Sequence, residues 1–168
     1  MPNHPVVGVS WYEAVAYCAW LTATNPGHFF RLPDEAMWEK AARGTDGRRW
    51  PWGDTWDATR LNADQTIGRT SAVGIFPAGR SPYDIYDCAG NVLEWCSGPG
   101  IGETPYPFWQ RSYEEDLKLT PTYRALRGGS WDNLAQLTRA AYRYLNLPYD
   151  WNHYVGFRVA ELLSDPDL

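Results

Sequence analysis

One stretch, from Arg127 to Ala160, constrains the fold of this chain more than any other. It opens with Arg127-Gly128-Gly129-Ser130-Trp131 and closes with Gly156-Phe157-Arg158-Val159-Ala160. Between these ends stand Asp132, Asn133, Leu134, Leu137, Tyr142, Tyr144, Asn146, Leu147, Tyr149, Asp150, Asn152, His153 and Tyr154, in neither the helical nor the strand period. A segment without a period has no single face to bury, so a frame must hold it. Its aromatic side chains then either fill a loop-rich core or form a displayed surface. Tyrosine and tryptophan give large contact area at small entropic cost, and Asn, Asp and His supply adaptable hydrogen bonds. Their grouping between two regular ends favours a framed binding surface over about residues 131–155.

Ten Trp and eleven Tyr against five Phe, with 15 Gly and 13 Pro, describe a domain of packed loops with few long elements. Such domains carry function on their loops. A length of 168 residues suits one domain over 1–168. The net charge of −5 and the scattered Lys and Arg leave no basic stripe, so nucleic acid is not an expected partner. No apolar run approaches the roughly 20 residues of a membrane helix, and Met1-Pro2-Asn3-His4-Pro5 does not read as a signal peptide. The sequence therefore predicts a soluble chain with no membrane segment, cytoplasmic by default. Cys18, Cys88 and Cys96 fit neither a zinc spacing nor a disulfide framework and read as buried free thiols.

Along the chain, Pro5–Val9 predicts a short strand. Ser10 and Glu13 form a capping box that starts a helix over Trp11–Ala23, with Trp11, Ala14, Val15, Cys18, Ala19 and Leu21 on its apolar stripe and Asn25-Pro26-Gly27 ending it. Phe29–Leu32 reads as a short strand. Asp34 caps a second helix that ends at Gly44, with Ala36, Met37, Trp38, Ala41 and Ala42 facing the core. Thr45–Ala89 holds only turn signals, a looped connection that must be packed or functional. Asn91–Trp95, Leu126–Trp131, Arg139–Tyr144 and Gly156–Ala160 predict strands; Gly98–Tyr123 is a second irregular excursion and Ser164–Leu168 a frayed tail.

Six of these stretches together resemble the sulfatase-modifying-factor domain of formylglycine-generating enzymes: PVVGVSWYEAVAYCAWL from Pro5, RLPDEAMWEKAARG from Arg31, Pro51-Trp52-Gly53, YDCAGNVLEW from Tyr86, RGGSW from Arg127, and Gly156-Phe157-Arg158. The resemblance implies an α+β, C-type-lectin-like fold with two helices, small antiparallel sheets and much loop. The family's N-terminal sheet-and-helix part is missing before Pro5, so self-association or another domain of a parent chain is expected to cover that surface. The family's enzyme holds copper by two cysteines after the GGS motif. Those places fall on Asn133 and Thr138, neither a thiol, so the resemblance implies no copper and no formylglycine chemistry. Sulfoxide synthases of the family use histidines largely from an added helical domain, and His4, His28 and His153 are too few and scattered to replace them.

The form RGGSW, surface, GFR also resembles the variable proteins of diversity-generating retroelements. Adenine-templated mutagenesis there yields Asn, Asp, Tyr, His, Leu and Ser among others, a set that contains all thirteen residues named above. Trp131, Gln136, Arg139, Arg143, Pro148 and Trp151 would then be invariant scaffold. A calcium site of the family would match Asp87, Gly90, Val92 and Glu94; the competing reading pairs Glu94 with backbone amides or with an arginine such as Arg127. A second would begin at Asn62-Ala63, followed by a loop shorter than the family's.

Scattered acids, among them Asp84, Glu114, Glu115 and Asp116, set no glycosidase pair, and Ser10 and Ser130 lack a matching His and Asp. Gly128-Gly129 has no following helix to make a phosphate loop and marks close backbone approach. Arg127, Arg139, Arg143 and Arg158 recur along the frame and are expected to pair with Asp84, Asp87 or Glu94. The combined expectation is a non-catalytic ligand-binding protein that displays a diversified surface to a protein partner, without a required cofactor. The alternative is a formylglycine-generating-type oxidoreductase or accessory domain without the copper cysteines.

Overall fold

The computed structural model describes residues 3–98 and 123–163. Glu114, Glu115, Asp116, the tail Ser164–Leu168 and all but the ends of the Gly98–Tyr123 excursion lie outside them. Helix α1 spans Trp11–Thr24, and the capping box forms as the sequence predicts: Ser10 Oγ accepts from Glu13 N while the Glu13 carboxylate accepts from Ser10 N at 2.8 Å. Two orphan amide donors of the helix start are thereby satisfied. Asn25 closes the helix, donating through Nδ2 to Leu21 O at 2.7 Å. Its buried face is Trp11, Ala14, Val15 and Cys18, narrower than the expected stripe, since Ala19 is exposed and Leu21 half-buried.

Helix α2 spans Glu35–Arg43; Asp34 Oδ1 accepts from Met37 N at 2.7 Å, and Gly44 ends the helix at φ 69°. Only Trp38 and Ala42 of the expected core residues are buried, while Ala36 is exposed and Glu35 is buried. A carboxylate replaces an alanine in the interior because two arginines meet it there, the condition under which charge is buried at all.

The strands are β1 (Phe29–Arg31), β2 (Leu93–Trp95), β3 (Arg124–Arg127), β4 (Arg143–Asn146), β5 (Val155–Phe157) and β6 (Ala160–Leu162). β1 and β6 form an antiparallel pair, and the other four make a sheet in the order β4-β3-β2-β5. The sheets are antiparallel except at β2–β5, which is parallel, with Leu93 beside Val155 and Trp95 beside Phe157. Side chains alternate across this sheet. One face carries Leu93, Trp95, Leu126 and Val155 into a core with Trp11, Ala14, Val15, Cys18 and Leu32. The other carries Ala125 into a second core with Trp38, Ala42, Cys88, Cys96 and Ala140, against which Leu145 packs. The helices therefore lie on opposite faces.

Pro5–Val9 is not a strand. Gly8 N donates to Asn152 O at 3.0 Å and to Val155 O at 3.2 Å, and Val9 O accepts from Trp95 Nε1 at 3.0 Å, so this backbone covers β5 without joining a ladder. It lies so close that a Cβ at Gly156 would come within 2.4 Å of Val6 O. The 45–89 connection holds only two 3-10 turns, Ala58–Arg60 and Pro77–Gly79, and is packed as expected. Trp50, Leu61, Ala63 and Ala89 form its own core, with Trp52 and Trp56 against it.

Candidate functional site

The parity of the sheet divides the organising stretch into an anchored face and a displayed one. Register places Glu94, Arg127 and Arg143 side by side on the α2 face. Glu94, 4% exposed, accepts from Trp38 Nε1 at 2.6 Å and from Arg158 through Nε and Nη2. Arg127 Nη2 donates to Glu39 and to Ala140 O, and Arg143 holds Glu35 with two donors. The expected arginine pairs are thus real, with other partners: Glu35 and Glu39 take Arg127 and Arg143, and only Arg158 meets Glu94. Arg139 is exposed and donates through Nε to Gln136 O. These like charges tolerate adjacency because carboxylates lie between them.

The next residues along point the other way. Tyr144 stands beside Leu126 and Asn146 beside Arg124, on edge strand β4. Tyr144 is 43% exposed, Leu134 51%, Tyr149 56% and Trp151 69%. His153, also exposed, lies 5.6 Å from the Trp131 ring and 5.1 Å from Tyr154. Tyr154 is half-buried, packs on the α1-face core and bonds Asn152. Burial pushes its hydroxyl up, helped by the nearby Tyr144 and Asp132, and burial with Tyr144 does the same to Tyr142. Four of the expected residues, Asp132, Tyr142, Tyr144 and Tyr154, thus share one electrostatic neighbourhood.

Others serve the frame. Asn133 Oδ1 accepts from Ser130 N at 3.0 Å and Oγ at 3.2 Å. Asn146 Oδ1 accepts from Leu147 N at 3.1 Å, and Asn152 Oδ1 from His153 N at 2.7 Å, while Asp150 N donates to Leu147 O, so side-chain turns build the 146–153 loop. Leu137 is half-buried in the 3-10 turn Ala135–Thr138. The expected invariant set divides as well: Pro148 is buried, with its carbonyl taking Trp11 N, whereas Trp151 and Gln136 are exposed. Trp151 belongs with the displayed surface.

Sequence reasoning also missed Asp64 and Gln65. Both adopt φ 54°; Asp64 N donates to Asn133 O at 2.9 Å, Gln65 N to Trp131 O at 2.8 Å, and Gln65 Nε2 to Asp132 Oδ1 at 2.7 Å. A distant loop thereby sets the geometry of residues 131–133. Only the turn character of this polar stretch signals it in sequence.

Of the residues matched to calcium, both carboxylates are engaged by protein donors. Asp87 Oδ2 accepts from Gly74 N at 2.8 Å, Gly90 N donates to Gly128 O, Val92 is buried, and both Glu94 oxygens are engaged. The Arg158 guanidinium also reaches Tyr86 O and Asp87 O at 3.2 Å, so positive charge already sits among these donors. Burial pushes the Asp87 carboxyl up. At Asn62, Nδ2 donates to Arg69 O while the buried Oδ1 has no protein partner among the described residues.

The copper places carry structural polar groups. Thr138, fully buried, accepts from Trp50 Nε1 at 3.3 Å and donates to Ala135 O at 2.8 Å. Cys18, Cys88 and Cys96 are buried and in no disulfide; burial pushes the Cys88 thiol up to about 11 and Cys96 well above the usual thiol value, which disfavours the thiolate at these two positions. Among the described residues, no helix is long and apolar enough to cross a membrane.

The sulfatase-modifying factor enzyme 1-like domain model matches residues 1–163. Serine/threonine-protein kinase Pkn1 of Chlamydia trachomatis serovar L2 is 40% identical over 164 residues, 95% of this chain and 24% of the kinase. The formylglycine-generating enzyme of Thermomonospora curvata is 33% identical over 187 residues, 98% of this chain and 57% of the enzyme. Among solved structures, Treponema denticola variable protein 1 matches with a TM-score of 0.71 and 26% identity over 94% of this chain and 70% of that one. The chain spans about a quarter of the length of the kinase and little more than half of the enzyme. With six motifs in order, two helices around a small mixed sheet and a family match over nearly its whole length, the chain belongs to the sulfatase-modifying factor enzyme 1-like domain family and has its C-type-lectin-like fold.

Proposed function

We propose that this domain is a non-catalytic binding module whose 131–155 segment displays a diversified surface, in the manner of a retroelement variable protein. One observation carries the reading: Leu134, Tyr144, Tyr149, Trp151 and His153 are exposed on a segment whose opposite side is pinned by ion pairs to α2. Rigid tyrosines and tryptophan bury area against a partner at little entropic cost. Asp132, Asp150 and Asn152 supply directional bonds beside them. A protein is the expected partner, since no cluster of cation ligands suited to calcium-dependent sugar capture lies among the described residues.

The test is the sequence of the DNA around this gene. A near-copy of the Arg127–Ala160 coding segment, differing only where the copy has adenine, supports the proposal; absence of any such copy overturns diversification. The competing reading, a formylglycine-type oxidoreductase or accessory domain, draws on the 33% identity to an enzyme of that name. It is separated by metal analysis and a cysteine-peptide oxidation assay, both of which should be negative.

A further inference from the structure

On the other side of Tyr142 lies a second site with different chemistry. A cavity of about 330 Å³ is lined by Arg43, Arg48, Arg49, Arg139, Arg143 and Tyr142. Five arginines line one cleft of a chain whose net charge is −5. Three of them are held by carboxylates: Arg43 by Glu39, Arg48 by Asp46, and Arg143 by Glu35. Those pairs fix their positions. Arg49 and Arg139 are exposed and their guanidiniums make no ion pair among the described residues, although Arg49 N donates to Asp54 Oδ1 at 2.9 Å. Their segments are joined, because Ala140 N donates to Arg49 O at 2.8 Å.

Always-charged forks without an ion pair of their own are suited to a planar or tetrahedral oxyanion, which accepts paired N–H donors from each guanidinium. The volume lies at the small end of the range for small-molecule pockets, and Tyr142 offers a ring beside the charge. We propose that this cleft is an anion-binding site for a phosphate monoester, with the phosphoryl group between Arg49 and Arg139 and an organic substituent against Tyr142. The site shares Tyr142 and the 131–155 segment with the displayed surface but differs in chemistry: it needs charge at Arg49 and Arg139, whereas that surface uses aromatic area on β4 and the 146–153 loop.

The experiment titrates the intact protein with inorganic phosphate and with phenyl phosphate, following the arginine Nε–H resonances by NMR, against sodium chloride at matched ionic strength. Saturable shifts of Arg49 and Arg139 are expected with both phosphates, with phenyl phosphate the tighter. Arg49→Ala with Arg139→Ala should weaken binding by at least about tenfold, as loss of two charge-assisted contacts requires. Arg49→Lys with Arg139→Lys, which keeps charge without the forks, should fall between. Shifts in the wild-type protein no larger than those from chloride overturn the proposal, as does full binding by the double alanine variant. Equal affinity for the two phosphates overturns the role of Tyr142. Peptides carrying phosphotyrosine or phosphoserine then tell whether the group comes on a small molecule or on a protein side chain.

Discussion

At the scale of single residues, the anchored face depends on a few buried charges. Glu94 is almost inaccessible and receives three donors, from Trp38 and Arg158. Removing its charge leaves a guanidinium without its partner beside an apolar core, a defect that costs about 3–5 kcal/mol when a buried pair is broken. Glu94→Gln is therefore expected to lower the unfolding free energy by about 3 kcal/mol, read from urea denaturation with an unchanged slope. A loss below about 1 kcal/mol would show Arg158 finding water instead, as exposed pairs do. This pairing is half legible in sequence: Glu94 needs an arginine, but Arg127, although beside it on β3, turns to Glu39 and Ala140 O and leaves Glu94 to Arg158. Burial of Glu35 was not foreseen, because its partner Arg143 lies 108 residues away. No local pattern reports a pair of that separation.

At the scale of elements, what is local was readable. Ser10 with Glu13, Asp34 and Gly44 bound their helices where capping chemistry puts them. What needs a distant partner was not: Pro5–Val9 has the residues of a strand but finds Asn152 and Val155 carbonyls in place of a ladder, and Gln65 belongs with Trp131 only through the fold. The same contrast predicts mutational behaviour within the organising stretch. Gly129 sits at φ 71°, and a Cβ there would come within 2.7 Å of Leu137 O and 3.0 Å of Thr138 Cα. Gly129→Ala combines strain with displacement of the 3-10 turn and should cost at least about 2 kcal/mol. The triple change Tyr144→Ala, Tyr149→Ala and Trp151→Ala removes three exposed aromatics and should cost under about 1.5 kcal/mol in all, since surface substitutions run near 0.5 each. Thermal melts of the two variants side by side check this; an equal loss in both would mean that the aromatics are core and not display.

At the scale of the whole molecule, stability should depend on carboxylates held ionised. Arg48 holds the Asp46 carboxyl down to about 2, and the Thr59 hydroxyl with Arg60 holds Asp57 down to about 2. Burial pushes Glu39 up, but Arg43 and Arg127 more than reverse this. Because these folded-state values lie below the unfolded ones, the native protein binds fewer protons, and the stabilisation is complete above about pH 4 and lost as pH falls toward about 2. Melting temperature should be level from pH 7 to 5 and fall from pH 4 to 2, with a shallower fall in the Asp46→Asn, Asp57→Asn variant. A level profile down to pH 2 would contradict it. The alternation of β4 has a wider consequence. Arg143 and Leu145 face α2 while Tyr144 and Asn146 point the other way, and one residue gained or lost within β4 would exchange the two sets. Over descent, such a segment is free to drift in spelling while its length stays fixed, so lineages of this domain should differ here by substitution and hardly ever by insertion or deletion.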